Sequence, residues 1–258
     1  MNGCILFASH IPNPSRLYVG SESLDKFVES FSDYDIYVGV NNSCNEWIET
    51  LESYKDKLNI FYEITPNELL DTSGGAAYQT TIRMVRESGK KYDIYWFGHT
   101  KGATSSSDDF RNGMFNIFWN KKDEIESTMV DSDISLYTPY LIIERLENYV
   151  ENNLSPLLKS DNIVNELCSV YSFWVLSGNV MNYFIENCPN YFFNTNLLSM
   201  KGSNGVNYNR YFFETEFPMI YQKTPHSQRL LYHKFNPNGL LRGRTLEEID
   251  NNTQKINF

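Results

Sequence analysis

The sequence predicts an α/β fold, with a central, mostly parallel β-sheet flanked by helices in a single domain. Apolar runs bounded by turn residues alternate with segments of helical periodicity through the first hundred residues, giving the order β-α-β-α-β-α-β. The length of 258 residues, of which 41% are hydrophobic and 21% charged, suits one globular domain with its own core. Strands that alternate with helices in this way are typical of a parallel sheet.

Four strands are predicted in the first half, each a short apolar run closed by polar or turn residues, at 3–8, 35–40, 58–64 and 91–97. The three helices between them each present one apolar face. The first places apolar residues at i, i+3, i+4 and i+7, and Ser21 or Ser23 is its expected N-cap. The faces of the three helices are formed by Leu24, Phe27, Val28 and Phe31, by Trp47, Ile48, Leu51 and Tyr54, and by Tyr78, Ile82 and Val85.

The second half is less regular. We expect a helix from Asp109 to about Ser127, a strand at 133–137, helical segments over 145–170 that break at Pro156, a strand at 172–176 and a helix to about 187. No internal repeat or linker is visible. Residues 1–258 are therefore expected to form a single domain.

Charge and composition exclude several classes of protein. Lys and Arg number 22 against 32 Asp and Glu, a formal charge of −10, so general nucleic-acid binding is not expected. No apolar run approaches the ~20 residues of a membrane-spanning helix. The four cysteines are scattered without paired spacing, which is typical of free thiols in a reducing compartment: Cys4, Cys44, Cys168 and Cys188. We therefore expect a cytoplasmic protein.

The predicted strands of the first half end in polar residues. In parallel α/β sheets ligands bind beyond the carboxyl ends of the strands. Ser9-His10 follows the first strand, Asn41-Asn42 the second, and His99-Thr100-Lys101 the fourth. The sequence therefore predicts a ligand site at this edge of the sheet, although each group also fits an ordinary solvated turn.

Three motifs resemble those of nucleotide-sugar glycosyltransferases with the GT-A fold. The turn and helix start at 73–79 followed by the strand at 92–97 have the family's order, but its metal-binding Asp-x-Asp position holds His99-Thr100-Lys101-Gly102. That tetrapeptide is similar to a little-characterised bacterial and viral branch that includes rhamnan-synthesis-type enzymes. Residues 173–179 resemble the family's "sGnFww" stretch and 210–216 its "RyaE" element, so the resemblance extends over about residues 3–222.

The resemblance implies transfer of a sugar from a UDP- or GDP-sugar to a glycan or another hydroxyl acceptor, as in polysaccharide biosynthesis. It implies a nucleotide-binding half at 1–102, an acceptor half at 103–222 and a C-terminal tail at 223–258 of the same domain. Within the acceptor half it implies an acceptor site near Ser177, Gly178 and Asn179. The donor is expected at the strand ends and at the start of the third helix, on Ser9, His10, Asn41, Asn42, Ser73, Gly74, Gly75, His99, Thr100 and Lys101.

Glycosyl transfer needs positive charge at the diphosphate leaving group and a carboxylate that takes the acceptor's proton. Lys101, with His99 as a donor, could supply the first. By its place in the resemblance Glu214 is the expected base, with Glu216 in reserve. Because the Asp-x-Asp motif is absent, the sequence does not determine whether the reaction requires Mn²⁺ or Mg²⁺.

Four other groups of charged residues are candidates for metal or phosphate binding. Asp131 and Asp133 form an Asp-x-Asp that precedes a strand instead of following one, and Asp108-Asp109 fits a helix cap. His226 and His233 have no third ligand at zinc spacing. Arg242 and Arg244 could fold over a pyrophosphate.

Two other functions remain open on the sequence. A GT-A-like module without activity could bind a glycan or a protein partner. A nucleotidyltransferase would need two metal-binding carboxylates near the phosphates, for which Asp108 and Asp109 are candidates. The sugar, base, acceptor, stereochemical outcome and oligomeric state are not determined by any motif.

Overall fold

The computed structural model describes residues 1–65, 75–100, 109–131, 135–143, 167–169, 173–187, 229–234 and 253–257. Within these ranges the strands are β1 Gly3–Ser9, β2 Asp35–Val40, β3 Asn59–Ile64, β4 Ile94–His99, β5 Leu136–Ile143, β6 Leu167–Ser169, β7 Trp174–Ser177, β8 Arg229–Lys234 and β9 Thr253–Asn257. The helices are α1 Leu17–Ser30, α2 Asn45–Ser53, α3 Gly75–Ser88, α4 Asp109–Ile117, α5 Lys122–Asp131 and α6 Gly178–Asn187.

The described strands form one sheet in the order β3-β2-β1-β4-β7-β5-β8-β9, with β6 paired to β5. Strands β3, β2, β1 and β4 are all parallel. Strand β7 joins them antiparallel to β4 and to β5, whereas β8 runs parallel to β5. The expected α/β fold with a central, mostly parallel sheet flanked by helices is confirmed, and its uniformly parallel part is the first half of the chain.

Helices cover the two faces of the parallel strands. Successive side chains of a strand point to opposite faces of the sheet, so the contacts of β2 residues show on which face each helix lies. Val38 and Val40 belong to the apolar cluster that contains α1 and α2. Gly39, which points the other way, lies against the backbone of Ala77 in α3. Helices α1 and α2 therefore lie on one face and α3 on the other.

Aromatic rings dominate the core on the α1 face. Trp96 of β4 stacks on Trp119 at 5.9 Å between centroids and meets Phe31 and Phe118 edge-on at 5.2 and 4.9 Å. Such pairs contribute about 0.5–1.5 kcal/mol beyond the burial of their area. Gly98 has no room for a side chain, since a Cβ there would lie 2.3 Å from the Trp119 ring. The carboxyl end of β4 is thus fixed against this cluster.

Three expectations about helices are wrong. Leu167–Ser169, expected to be part of a helical segment, is strand β6, because it pairs with β5. The helix expected from Asp109 to about Ser127 is interrupted after Ile117 by a 3-10 turn, Trp119–Lys121, before α5 begins. The interruption lets Trp119 enter the core beside Gly98. Helix α1 begins at Leu17, ahead of both serines that were expected to cap it. Ser21 and Ser23 instead donate to the carbonyl oxygens of Leu17 and Val19 inside the helix.

No helix among the described residues is long and apolar enough to cross a bilayer.

Candidate functional site

Three strand ends meet at the carboxyl edge of the parallel sheet. Ala8 of β1 is level with Gly39 of β2 on one side and with His99 of β4 on the other. Just past the strands, Asn41 N–H donates to Ser9 O at 2.8 Å and Thr100 N–H donates to Ala8 O at 3.1 Å. The structure thus brings together the residues that follow β1, β2 and β4, as the sequence predicts.

The chain reverses its direction across the sheet between β1 and β4. From β1 it passes through α1 and α2 to β2 and β3 on one side, and then returns through α3, on the opposite face, to β4 on the other side. Where neighbouring strands send their connections to opposite faces, a crevice opens at their carboxyl ends, and ligands of α/β proteins bind there. The carboxyl ends of β1 and β4 are therefore the topological ligand site of this sheet.

His10 lies at that point and is held by three hydrogen bonds to two residues, Thr100 and Asn41. Its N–H donates to Thr100 Oγ1 at 2.9 Å, and the Thr100 hydroxyl lies 3.3 Å from His10 O. Its Nδ1 lies 3.0 Å from the carbonyl oxygen of Asn41. Because a carbonyl can only accept, this hydrogen bond requires the proton on Nδ1. Nε2 then accepts a hydrogen bond in the neutral ring and donates one in the imidazolium.

Ser9 is completely buried beneath this edge. Its hydroxyl accepts from Trp47 Nε1 at 3.0 Å and donates to Gly39 O at 3.2 Å. Both hydrogen bonds tie β1 to β2 and α2. The position places Ser9 under the site, where it supports the strand ends, instead of on its surface.

The two asparagines after β2 differ in their surroundings. Asn41 is completely buried, and its backbone carbonyl holds His10. Asn42 is exposed and has a φ of 40°, a left-handed conformation that asparagine tolerates better than most residues. The turn at Asn42 directs the chain away from the strand ends towards α2.

Helix α3 begins at the same edge. Its second turn carries Thr80, whose hydroxyl lies 3.3 Å from that of Thr65, just past the end of β3. The helix therefore starts at the carboxyl edge and runs back along the sheet, so that its N-terminal N–H groups, beginning at Gly75, face the strand ends. Ser73 and Gly74 lie outside the described residues.

Gln79, one turn into α3, is buried, with 6% of its surface exposed. Its Oε1 has no hydrogen-bond partner among the described residues. A buried amide oxygen left in this way is rare, because its desolvation is not offset. A glutamine within an amphipathic helix gives no sequence signal of such burial.

His99 is the last residue of β4 and is half-buried, with its ring 4.9 Å from that of Phe173. Lys101, Glu214 and Glu216 lie outside the described residues. The candidate metal or phosphate ligands at 108, 133, 226, 242 and 244 also lie outside the described residues. Their roles stay predictions.

Ser177, Gly178 and Asn179 are not brought to this site. Because β7 is antiparallel to β4, Ser177 is level with Ile94, the first residue of β4. Gly178 N–H donates to Asp93 O at 2.6 Å, and a Cβ on Gly178 would lie 2.1 Å from Tyr92 O. The six residues of β4 separate this turn from His99 by about 16 Å. The glycine here permits a close backbone approach at the amino edge of the sheet.

The described residues that end or directly follow β1, β2 and β4 supply imidazole, hydroxyl and amide groups and no carboxylate. No group of three His, Cys, Asp or Glu within the described ranges could hold a metal ion. Mg²⁺ and Mn²⁺ prefer carboxylate and other oxygen ligands. The part of the chain that the structure describes does not by itself fit a divalent-metal site.

Several solved structures are similar to this chain. S. aureus TarS 1–349 in complex with UDP has a TM-score of 0.47 at 9% identity over 83% of this chain, which spans 54% of TarS 1–349. A proposed glucose-1-phosphate thymidylyltransferase from Bacillus anthracis, in complex with a sucrose, has a TM-score of 0.42 at 12% identity over 92% of this chain and 87% of its own. Mannosyltransferase PcManGT from Pyrobaculum calidifontis, with GDP-Man and Mn²⁺, has a TM-score of 0.38 at 6% identity over 71% of this chain and 46% of its own.

The chain thus spans about half the length of the TarS chain. With identities of at most 12% and TM-scores below 0.5, these similarities do not bear on what this chain binds or catalyses. No family model matches the sequence, and no curated protein matches it.

Proposed function

We propose that this chain is a glycosyltransferase that binds a UDP- or GDP-sugar at the carboxyl ends of β1, β2 and β4 and transfers the sugar to a hydroxyl of a glycan. The observation that carries the proposal is the reversal of connections between β1 and β4, with His10 held at that point. The motifs that resemble GT-A enzymes support sugar transfer over other uses of such a crevice. We place the activity in the cytoplasm and in polysaccharide biosynthesis.

In this proposal, each group at the carboxyl edge contacts or supports one part of the nucleotide-sugar. The base and ribose lie over the turn at Asn41-Asn42, where the exposed Asn42 offers its backbone and side-chain amide to a base edge. The diphosphate lies between the start of α3 and the His10 ring, where helix N–H groups and Nε2 of an imidazolium both donate to oxygen. His99 and Lys101 extend this positive side of the site, and Ser9 supports it from beneath.

The reaction breaks the bond between the anomeric carbon and the diphosphate oxygen and forms one to the acceptor oxygen. Negative charge develops on the departing diphosphate, so fixed donors there stabilise the transition state more than the ground state. In the proposal Glu214, with Glu216 in reserve, accepts the acceptor's proton. A divalent metal, if bound, would neutralise the same diphosphate charge.

The acceptor is not placed at Ser177, Gly178 and Asn179. They lie at the amino edge of the sheet, too far from His99 for one transfer step. In the proposal the acceptor instead approaches from the side of the strand ends.

A second candidate function is a GT-A-like module that binds a nucleotide-sugar or a glycan without transfer. The chemistry of the strand ends favours it, because the described residues that end or directly follow β1, β2 and β4 include no carboxylate that could serve as a base or a metal ligand.

The test is a thermal-shift screen against UDP-, GDP-, dTDP- and CMP-sugars, each with Mn²⁺ and with EDTA. A ligand at 100 times its Kd stabilises a protein by about 2.7 kcal/mol. For a domain of this size that shift is about 5–10 °C. A shift with UDP- or GDP-sugars, followed by release of UDP or GDP on incubation, is the expected result. Binding without release favours the non-catalytic module, and a flat panel contradicts both.

A further inference from the structure

The ring of His10 has one fixed nitrogen and one open nitrogen. Its Nδ1 carries a proton and donates to Asn41 O at 3.0 Å. Its Nε2 has no hydrogen-bond partner among the described residues, and it is not one of the buried polar side-chain atoms that lack a partner. Solvent therefore reaches Nε2, and a proton can bind there without breaking the hydrogen bond that holds the ring.

The backbone that carries the ring is anchored on both sides. His10 N–H donates to Thr100 Oγ1 at 2.9 Å, which ties it to the end of β4. Ile11 N–H donates to Ser43 Oγ at 2.9 Å, and Ile11 O accepts from Cys44 N–H at 2.8 Å, which ties the same segment to the turn after β2. None of these hydrogen bonds involves Nε2, so the placement of His10 does not depend on the charge of its ring.

No described acidic side chain neutralises this ring. Thr100 and Asn41, to which His10 is hydrogen-bonded, do not titrate. The first two turns of α3, Gly75–Ile82, contain no charged side chain. The described titratable groups that end β4, precede α2 and precede α1 are His99, Cys44 and Arg16. None of these three is an anion at neutral pH, so among the described residues an imidazolium at this position has no counter-charge, and a bound ligand can supply one.

We propose that His10 takes up a proton from solvent when the nucleotide-sugar binds and holds the diphosphate as an imidazolium, so that the affinity for the donor depends on pH. This inference rests on the proposed function and says how that site is regulated. A diphosphate beside the ring favours the charged ring, and the charged ring favours the diphosphate by the same factor. Because Nδ1–H donates to Asn41 O in both forms, the added proton goes to Nε2, which changes from an acceptor to a donor towards a phosphate oxygen.

The direction of the pH effect follows from which form binds better. Histidine side chains change their charge between about pH 5 and 8. At the acid end of this range the ring is charged with and without ligand, so no proton is taken up and affinity is highest. At higher pH each binding event takes up a proton, and the Kd rises by at most about tenfold per pH unit.

The experiment is calorimetric titration of the full chain with UDP and GDP at pH 7.5 in two buffers of different ionisation enthalpy, HEPES and Tris. The difference in heat gives the number of protons taken up, and the terminal phosphate of the ligand, which titrates near pH 6, exchanges few of its own at this pH. The Kd is then measured from pH 7 to 9. In His10→Asn the side-chain amide N–H can replace Nδ1–H without titrating, and His99→Asn removes the imidazole that ends β4. Circular dichroism establishes that each variant is folded.

We expect the wild type to take up about 0.5 proton per ligand at pH 7.5, and its Kd to rise about three- to tenfold from pH 7 to 9. His10→Asn should bind more weakly at pH 7, with no uptake and a flat profile, whereas His99→Asn should keep the uptake.

Three results would overturn the inference and leave the proposed function intact: binding by the wild type without uptake, uptake that persists in folded His10→Asn, or uptake that is lost in His99→Asn. A wild-type protein that binds neither UDP nor GDP would overturn both. If His10→Asn does not fold, the uptake measured in the wild type and in His99→Asn decides.

Discussion

Replacing Gly39 by alanine tests whether the start of α3 belongs to the nucleotide site. A Cβ on Gly39 would lie 2.1 Å from Ala77 O and 2.9 Å from Ala77 Cα. That is roughly 1.5 Å closer than van der Waals contact allows. The obstructing atoms are backbone, so no side chain can turn away and the first turn of α3 must lift from β2. Such overpacking costs about 3 kcal/mol, the upper part of the usual range.

For a domain of this size that cost corresponds to a fall in Tm of about 6–12 °C. Displacing the start of α3 by about 1.5 Å should also raise the Kd for a nucleoside diphosphate about tenfold or more. The N–H groups of the first turn would then be too far from the phosphate oxygens to donate hydrogen bonds to them. Tm is measured by circular dichroism, and Kd by calorimetry at 20 °C, where the variant is still folded.

Gly89→Ala is the control for Gly39→Ala. Gly89 follows the other end of α3, with a φ of +66° and no atom within 4 Å of the Cβ that alanine would add. The left-handed backbone conformation at this position costs an alanine about 1–2 kcal/mol. Gly89 lies about 20 Å from the carboxyl ends of the strands, the length of α3. Gly89→Ala should lower Tm and leave Kd unchanged. An unchanged Kd in Gly39→Ala, beside a lowered Tm, would refute the reasoning that puts the start of α3 in the site.

Two further outcomes follow from buried groups. Ser9→Ala leaves Trp47 Nε1 buried without its acceptor. The free energy of unfolding, measured in urea, should therefore fall by about 1–3 kcal/mol, and the affinity for the nucleotide should not change. Weaker nucleotide binding at unchanged stability would instead show that Ser9 contacts the ligand. Burial raises the pKa of the Cys4 thiol well above its usual value. Iodoacetamide at pH 8 should therefore alkylate half-buried Cys44 at least tenfold faster than buried Cys4, as measured by peptide mass spectrometry. Comparable rates for the two cysteines would contradict the packing of β1.

Local patterns explain why the first half of the fold was predictable. The strands at Gly3–Ser9 and Asp35–Val40 are short apolar runs closed by polar residues, and the periodicity of α1 is visible from Leu24 to Phe31. Because parallel strands must end at one edge, the polar residues after them were also predictable as a group. The meeting of His10, Asn41 and Thr100 follows from that rule.

Long-range pairing explains what the sequence did not indicate. Nothing near Ser177 shows that β7 pairs antiparallel to β4, and this direction alone moves Ser177–Asn179 to the far edge. Arg16 and Arg111 are far apart in the chain, and no local pattern indicates that both lie over the Tyr18 ring. The break after Ile117 arises from the fit of Trp119 against Gly98, which no local periodicity encodes.

The central claim is that a nucleotide binds at the carboxyl ends of β1, β2 and β4, and hydrogen–deuterium exchange with and without UDP or GDP tests it most directly. The account predicts slower exchange in peptides spanning His10–Arg16, Asn41–Cys44 and the start of α3, with no change around Lys90–Asp93 or Gly178. Protection at the amino edge, or none at the carboxyl edge when the nucleotide is bound, would contradict it.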